Sequence, residues 1–225
     1  MPQSERTVVD ARLAKRLAEI GLMASTVDLT KRASYVSAAG WHVDAREVSL
    51  PAEAPGVPET DGPFVIASRI VREYTFPPRS LIFGTFDPSA PLENRAMLLT
   101  ARFLWLTFEL PVRVSRVIDL TRAGRNGDEY AWGYSYQTLD GHLERGEITF
   151  EIIKHLASGS ITFRIHSFSQ TGHIANIIHR IGFRIVGRRL QQRFAEQSLK
   201  NMQLLVATEM TGRAVAAAET TARPA

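Results

Sequence analysis

Residues 130–169 decide the fold, and their sequence is YAWGYSYQTLDGHLERGEITFEIIKHLASGSITFRIHSFS. Aromatic and β-branched side chains alternate with small or polar ones along this stretch, which is the two-residue period of β-strands. The dipeptide Asp140-Gly141 and the sequence Ser158-Gly159-Ser160 separate the runs and are typical of tight turns. Parallel strands need long crossover connections, so strands joined by such short turns must be antiparallel. We therefore predict a β-meander over residues 130–170.

The segments before the meander add further elements. Val112–Leu120 alternates strictly and predicts one more strand of the same sheet. Asn94–Phe108 carries apolar residues at helical spacing, so we expect a buried helix there. Phe64–Phe76 is rich in β-branched residues and ends at two prolines, which favours a strand.

The segment after the meander predicts a long helix. His173–Ala207 has no proline, and apolar residues recur in it every three or four positions. A strand, a helix, several antiparallel strands and a long terminal helix together indicate an α+β fold of the helix-grip type. In that fold a curved antiparallel sheet wraps around a long C-terminal helix, and a cavity can lie between them.

Composition divides the chain into four segments. The expected divisions are an N-terminal helical arm at 1–22, an irregular Pro-rich segment packed on the domain at 23–63, the helix-grip-like domain at 64–208, and a disordered Ala/Thr-rich tail at 209–225.

Several kinds of chemistry are excluded by what the sequence lacks. There is no cysteine, so disulfides, thiolate nucleophiles and Cys-based metal sites are absent. There is no phosphate-binding loop, no dinucleotide-binding glycine motif and no serine-hydrolase elbow, and the histidine spacing does not suit joint metal ligation. We predict no cofactor and no metal. No signal peptide or membrane-spanning segment is apparent, so a cytoplasmic protein is expected.

The hairpin from Tyr134 to Phe150 resembles a known family. It contains an aromatic-x-aromatic pair, the sequence Thr138-Leu-Asp-Gly141-His142 and the dipeptide Gly146-Glu147. Phe168-Ser169 and the later sequence from Arg188 to Phe194 continue the similarity. Together they resemble the uncharacterised bacterial and plant family catalogued as domain of unknown function 1990, over roughly residues 64–205. The sequence departs from the family at Gln137, where glycine is usual. The resemblance implies a fold and a candidate pocket but no reaction.

The hairpin also supplies the candidate catalytic residues, His142, Glu147 and Tyr136. If the turn closes, the imidazole of His142 and the carboxylate of Glu147 could form a general acid/base pair. The alternative is a purely structural hairpin, held by a contact of His142 with the backbone or by an Arg145–Glu147 pair. The motif marks the family more specifically than it indicates catalysis.

A second group of residues is predicted to bind a ligand. One face of the aromatic strand could build either the core or a cavity wall, and polar residues interrupt otherwise apolar strands nearby. An inward arginine would need an anionic partner, since an unpaired buried charge is costly. The predicted ligand-binding residues are Arg116, Trp132, Tyr134, Arg164, His166 and Ser167.

Three functions remain open at this point. The first is binding of a hydrophobic small molecule, with or without an anionic group, between the sheet and the C-terminal helix. The second is a cofactor-independent cyclase, dehydratase or isomerase acting on a polyketide- or lipid-like substrate in the same pocket. The third is an interaction protein that contacts an anionic surface through Arg180, Arg184 and Arg188. Nucleic acid is not expected, because aromatic residues are not interleaved with these arginines. A cavity of several hundred Å³ would support the first two.

Overall fold

The computed structural model describes the backbone of residues 11–103, 106–171 and 177–221, and the side chains of 11–102, 107–170 and 191–213. The strands in this part of the chain are β1 His42–Leu50, β2 Ile82–Thr85, β3 Ala96–Phe103, β4 Leu106–Gly124, β5 Gly127–Thr138, β6 Glu144–His155 and β7 Ile161–Thr171. The α-helices are α1 Ala11–Leu22, α2 Pro63–Arg72 and α3 Ile177–Thr221. All seven of these strands form one antiparallel sheet in the order β1-β7-β6-β5-β4-β3-β2.

The predicted meander is confirmed. Strand β4 pairs with β5, β5 pairs with β6, and β6 pairs with β7. Gly141 and Gly159 lie in the turns with φ of 87° and 73°, which is the left-handed region that favours glycine. In the β5–β6 register Tyr136 faces Ile148, and in the β6–β7 register Phe150 faces Ile165. The alternation of the sequence thus becomes one apolar face of the sheet.

This apolar inner face packs against α2 and α3. Tyr134, Phe150 and Phe163 on the strands join Met202 and Val206 of α3 in the main core. The predicted α+β fold of the helix-grip type, with the C-terminal helix packed on an antiparallel sheet, is therefore confirmed.

The prediction of a strand at Phe64–Phe76 is wrong, because this segment contains α2. Pro63 occupies the first turn, where proline is favourable. Phe64, Ala67 and Val71 are buried at helical spacing. The β-branched residues suggested a strand, and tertiary packing overrode that preference.

The prediction of a helix at Asn94–Phe108 is also wrong, because this segment forms β3 and the start of β4. Met97, Leu98 and Leu99 are consecutive and all buried. Met97 and Leu99 face the main core, whereas Leu98 packs against α1 on the opposite face. A strand covered on both faces loses its alternation and cannot be distinguished from a buried helix by periodicity alone.

The N-terminal residues cover the outer face of the sheet. Leu17 and Ile20 of α1 pack against Leu98 and Leu139. The segment after α1, residues 23–41, continues across the outer face of β5 to β7 and includes two short 3₁₀ helices, Leu29–Ser34 and Ser37–Ala39. This covering layer, defined as residues 11–41, lies on the side of the sheet away from α3.

The C-terminal segment differs from the expected tail. Helix α3 continues to Thr221, so the predicted disordered tail at 209–225 is corrected to helix as far as that residue. Residues 222–225 lie outside the described part of the chain.

Candidate functional site

A cavity of about 170 Å³ lies between the inner face of the sheet and α3. It is placed where β6 begins and β7 ends, beside the turn between β5 and β6. Most of its wall is apolar and includes Ile82, Leu99, Ala101, Ile148, Ile165 and Phe194. The strands supply this wall because their alternation turns every second side chain toward α3.

An aromatic cluster fills the interior beyond the cavity. The ring centroid of Phe76 lies 4.8 Å from that of Phe150 and 5.3 Å from that of Phe163, and the centroids of Tyr134 and Phe150 are 5.9 Å apart. Tyr74 packs edge-on against both Phe76 and Phe150. These five side chains, the aromatic plug, are almost fully buried. They confine the cavity to one end of the sheet, and its volume is below the several hundred Å³ set out above.

Tyr136 and Tyr134 have different surroundings although they are two residues apart. Tyr136 lines the cavity, and its hydroxyl lies 3.4 Å from that of Tyr74. Burial raises the pKa of the Tyr136 phenol well above its usual range, so the phenol stays protonated. Tyr134 belongs to the aromatic plug and does not line the cavity.

His142 lies in the cavity wall directly after the turn glycine Gly141. Its Nδ1 atom is 3.0 Å from both the backbone nitrogen and the backbone oxygen of Glu144. Burial lowers the pKa of the imidazole to about 4, so the ring is neutral at pH 7. The structure thus contains the contact between His142 and the backbone that was the structural alternative for this hairpin.

The predicted acid/base pair of His142 and Glu147 does not form. Glu147 borders the cavity, but its carboxylate accepts hydrogen bonds from Nε and Nη2 of Arg32 at 2.7 and 2.6 Å and from the hydroxyl of Ser115. The neighbouring Ile148 faces the inner side, so Glu147 must point outward. Its carboxylate is therefore held beneath the covering layer, away from the imidazole.

Three predicted ligand-binding residues lie on the wrong face. A β-bulge between Val114 and Arg116 shifts the register, and Arg116 is exposed opposite Ser135 on the outer face. Arg164 also points outward, where its Nε donates to Oε2 of Glu47 at 2.9 Å. His166 alternates with the inner residues and shares this outer face. The prediction that Arg116, Arg164 and His166 face a pocket is wrong.

Two other predicted ligand-binding residues face the inner side. Ser167 lines the cavity, as the sequence suggested. Trp132 lines a separate open groove between α2 and strands β4 and β5, where the guanidinium of Arg72 lies 5.0 Å above its ring. The structure therefore brings Tyr136, His142 and Ser167 together, while Trp132 is remote from them.

The mouth of the cavity contains residues that the sequence analysis did not single out. Nε2 of Gln191 on α3 donates to the hydroxyl of Ser169 at 3.2 Å and also contacts the carboxylate of Glu144. An isolated glutamine in a helix carries no functional signal. The one available hint was the family resemblance, because Glu144 and Gln191 both lie within its motifs. The side chains of Arg180, Arg184 and Arg188 lie outside the described residues.

No group of three or more histidines and carboxylates that could hold a metal ion occurs among the described residues. None of the helices in the described ranges has the length and apolarity needed to cross a membrane.

The fold has distant similarity to several solved structures. Ara h 8.0201 matches at 13% identity with a TM-score of 0.44, covering 75% of this chain and 99% of that one. A protein from Thermus thermophilus matches at 13% identity with a TM-score of 0.43, covering 74% and 98%. A putative uncharacterised protein from Rhizobium leguminosarum matches at 11% identity with a TM-score of 0.37, covering 75% and 97%.

No curated protein matches the sequence. The profile of one family matches residues 24–201, a range that includes the hairpin and most of α3. The match begins well before residue 64, the start expected from the sequence. The match therefore takes in much of the covering layer as well as the sheet. The chain belongs to the family described as domain of unknown function DUF1990.

Proposed function

We propose that this protein binds a small hydrophobic molecule in the cavity between its sheet and α3. The observation that carries the proposal is a mainly apolar cavity on which polar side chains converge, among them Tyr136, His142 and Ser167. Small-molecule sites have this composition, because the apolar wall supplies affinity and a few polar groups fix the orientation.

The size of the cavity limits the ligand. A cavity of about 170 Å³ is close to the ~150 Å³ apolar cavity that is known to hold a benzene molecule. We therefore expect a ligand with one ring or a short branched chain. A long lipid or a multi-ring polyketide exceeds this volume, and the almost fully buried aromatic plug blocks its extension further into the interior.

The geometry favours binding over the enzymatic alternative. General acid/base catalysis at neutral pH is most efficient with groups whose pKa values lie near the operating pH. Burial moves the pKa of His142 down to about 4 and that of Tyr136 far upward. The only carboxylate of the predicted catalytic group belongs to Glu147 and is bound by Arg32 and Ser115. No specific observation supports a cyclase or isomerase.

The test combines native mass spectrometry of the purified protein with thermal unfolding in the presence of small ring compounds. A ligand at about 100 times its Kd stabilises the folded state by ~2.7 kcal/mol, which raises Tm by roughly 5–10 °C for a chain of this size. We expect such shifts with single-ring compounds and not with long-chain fatty acids. The proposal is refuted if the purified protein retains no ligand and no ring compound raises its Tm.

A matched pair of substitutions on α3 controls for the place of binding. Ala195 lines the cavity, whereas Ala207 is exposed on the same helix. Ala195→Leu should fill the space and abolish the ligand-induced Tm shift, whereas Ala207→Leu should leave the shift unchanged. Equal effects of both substitutions would place the bound molecule elsewhere.

A further inference from the structure

We infer that His142 presents an Nε2–H donor to the cavity and thereby selects ligands that carry an uncharged oxygen acceptor, of which a ketone or aldehyde carbonyl is the simplest class. This inference rests on the proposed ligand binding and adds the chemistry of the ligand. It depends on the tautomer of the ring, on what Nε2 faces and on the charges around the cavity.

The tautomer follows from the contacts of Nδ1. This atom lies 3.0 Å from the backbone N–H and 3.0 Å from the carbonyl oxygen of Glu144, and it can serve only one of them. A buried N–H that lacks an acceptor is rarer in proteins than a carbonyl oxygen that lacks a donor, because the carbonyl has two lone pairs. Nδ1 therefore accepts from the Glu144 N–H, and the proton of the neutral ring resides on Nε2.

The surroundings of the ring determine what Nε2 faces. None of the hydrogen bonds between described residues involves Nε2 of His142. The side chain is partly accessible, yet it is surrounded by enough protein to depress the pKa of the ring strongly. Part of its accessible surface therefore lines the cavity. A ligand that displaces water from this donor must supply an acceptor of its own, because a donor left without one is costly.

The apolar wall favours a neutral acceptor over a carboxylate, because burial of an unpaired charge against apolar groups is costly. The described charged residues of the wall have both signs and include Asp44, Arg46 and Glu144. Among the described side chains in the wall, the cation is Arg46, and its Nη1 already lies 3.2 Å from Oε1 of Glu196. The two other arginines considered for an anionic ligand, Arg116 and Arg164, lie on the opposite face of the sheet. A carbonyl meets the single N–H donor without adding charge.

The tautomer can be measured directly. Two-bond ¹H–¹⁵N correlation spectra of the ¹⁵N-labelled full chain distinguish the two neutral forms of histidine, and His142→Gln identifies the signal. We expect the Nε2–H form at pH 7. Observation of the Nδ1–H form would overturn the inference, whatever the ligand measurements give.

The selectivity is tested with two ligands of the same shape. Cyclohexanone and methylenecyclohexane differ only in that a C=CH₂ group replaces the carbonyl. We expect His142→Leu to weaken binding of cyclohexanone about tenfold, the effect of one lost hydrogen bond, and to change binding of methylenecyclohexane less than threefold. His142→Gln, which keeps an N–H donor, should restore part of the loss for cyclohexanone only.

The outcomes separate the two proposals. If both ligands bind and His142→Leu affects them equally, ligand binding stands and the role of His142 is refuted. If neither ligand nor any other single-ring compound binds the wild-type protein, the proposed function itself fails and the selection by His142 fails with it. The Nε2–H tautomer together with a loss confined to cyclohexanone supports both.

Discussion

The buried ion pair of Arg32 and Glu147 should be a major contributor to stability, and it joins the covering layer to the sheet. The Glu147 side chain is 2% exposed, whereas that of Arg32 is 37% exposed. Removing one partner of a fully buried pair costs about 3–5 kcal/mol, because the remaining charge stays desolvated. Since water reaches Arg32, we place the cost of Arg32→Met at the lower end, about 3 kcal/mol, which lowers Tm by roughly 6–12 °C.

Substitution of the other residue of the pair should cost less stability. Glu147→Gln leaves a guanidinium that water can solvate and keeps one oxygen for the Ser115 hydroxyl, so we expect a loss of about 1 kcal/mol. Urea unfolding of both single variants and the double variant gives the coupling energy, which should be ~1–2 kcal/mol. Lys31→Met is the matched control, because Lys31 pairs with Asp28 at the exposed surface and such pairs contribute only ~0–1 kcal/mol.

The asymmetry between the two single variants is the decisive result. If Arg32→Met costs no more than Lys31→Met, Arg32 does not neutralise Glu147 in solution. If Glu147→Gln costs more than Arg32→Met, the carboxylate is stabilised mainly by other groups. Either outcome would refute the argument that the covering layer is fixed to the sheet by a buried charge.

Three further predictions concern the hairpin, the sheet and the far end of the inner face. The folded-state pKa of His142 is about 4, below the unfolded value of ~6.5, so its contribution to stability is fully present above pH 6.5 and is lost as the pH falls toward 4. His142→Gln should therefore reduce the change in the free energy of unfolding between pH 6.5 and pH 4 by up to ~3 kcal/mol. Gly133→Ala should destabilise the protein by more than ~3 kcal/mol in urea unfolding, because the added Cβ would lie 1.9 Å from a backbone oxygen. Gly212→Ala is the control: this position on α3 has open space around it, so the substitution should stabilise the protein by up to ~1 kcal/mol. Lys154→Met should lower the free energy of unfolding by about 3–5 kcal/mol, because it leaves the Glu53 carboxylate buried without its cation. Adding Glu53→Gln to this variant should recover part of the lost stability. Additive losses in a calorimetric double-mutant cycle would contradict the pairing.

The meander was predictable because each of its strands has one polar or small face and one apolar face. From Tyr130 to Tyr136 every second residue is aromatic, and two glycine-containing turns fix the connections between the strands. The segments around α2 and β3 lack this contrast. Leu98 and Leu99 are both buried, since α1 covers the outer side of β3, and no local pattern could reveal a partner so much earlier in the chain.

The functional site was also predictable only where strand alternation determines the position of a side chain. Tyr136 and Ser167 were placed correctly because the alternation of β5 and β7 is unbroken from turn to turn. The volume of the cavity could not be predicted, since it depends on how Tyr74 and Phe76, which follow α2, insert between the strands and α3. A sequence pattern specifies which face a side chain occupies, but it does not specify how much space the opposite layer leaves.

The misplacement of Arg116 has a local physical cause with a wider consequence. Counting by twos from Val112 puts Arg116 on the inner face, but the bulge at Ser115 adds one residue and moves the following side chains to the opposite face. Ile118 accordingly packs on the outer side with Ala131 and Ile153. The same bulge places the Ser115 hydroxyl against the Glu147 carboxylate, so the irregularity that moves Arg116 out of the cavity also helps to hold Glu147 away from His142. A single inserted residue therefore accounts for the position of Arg116 outside the cavity, and it adds a hydrogen bond that helps to keep the Glu147 carboxylate on the outer face.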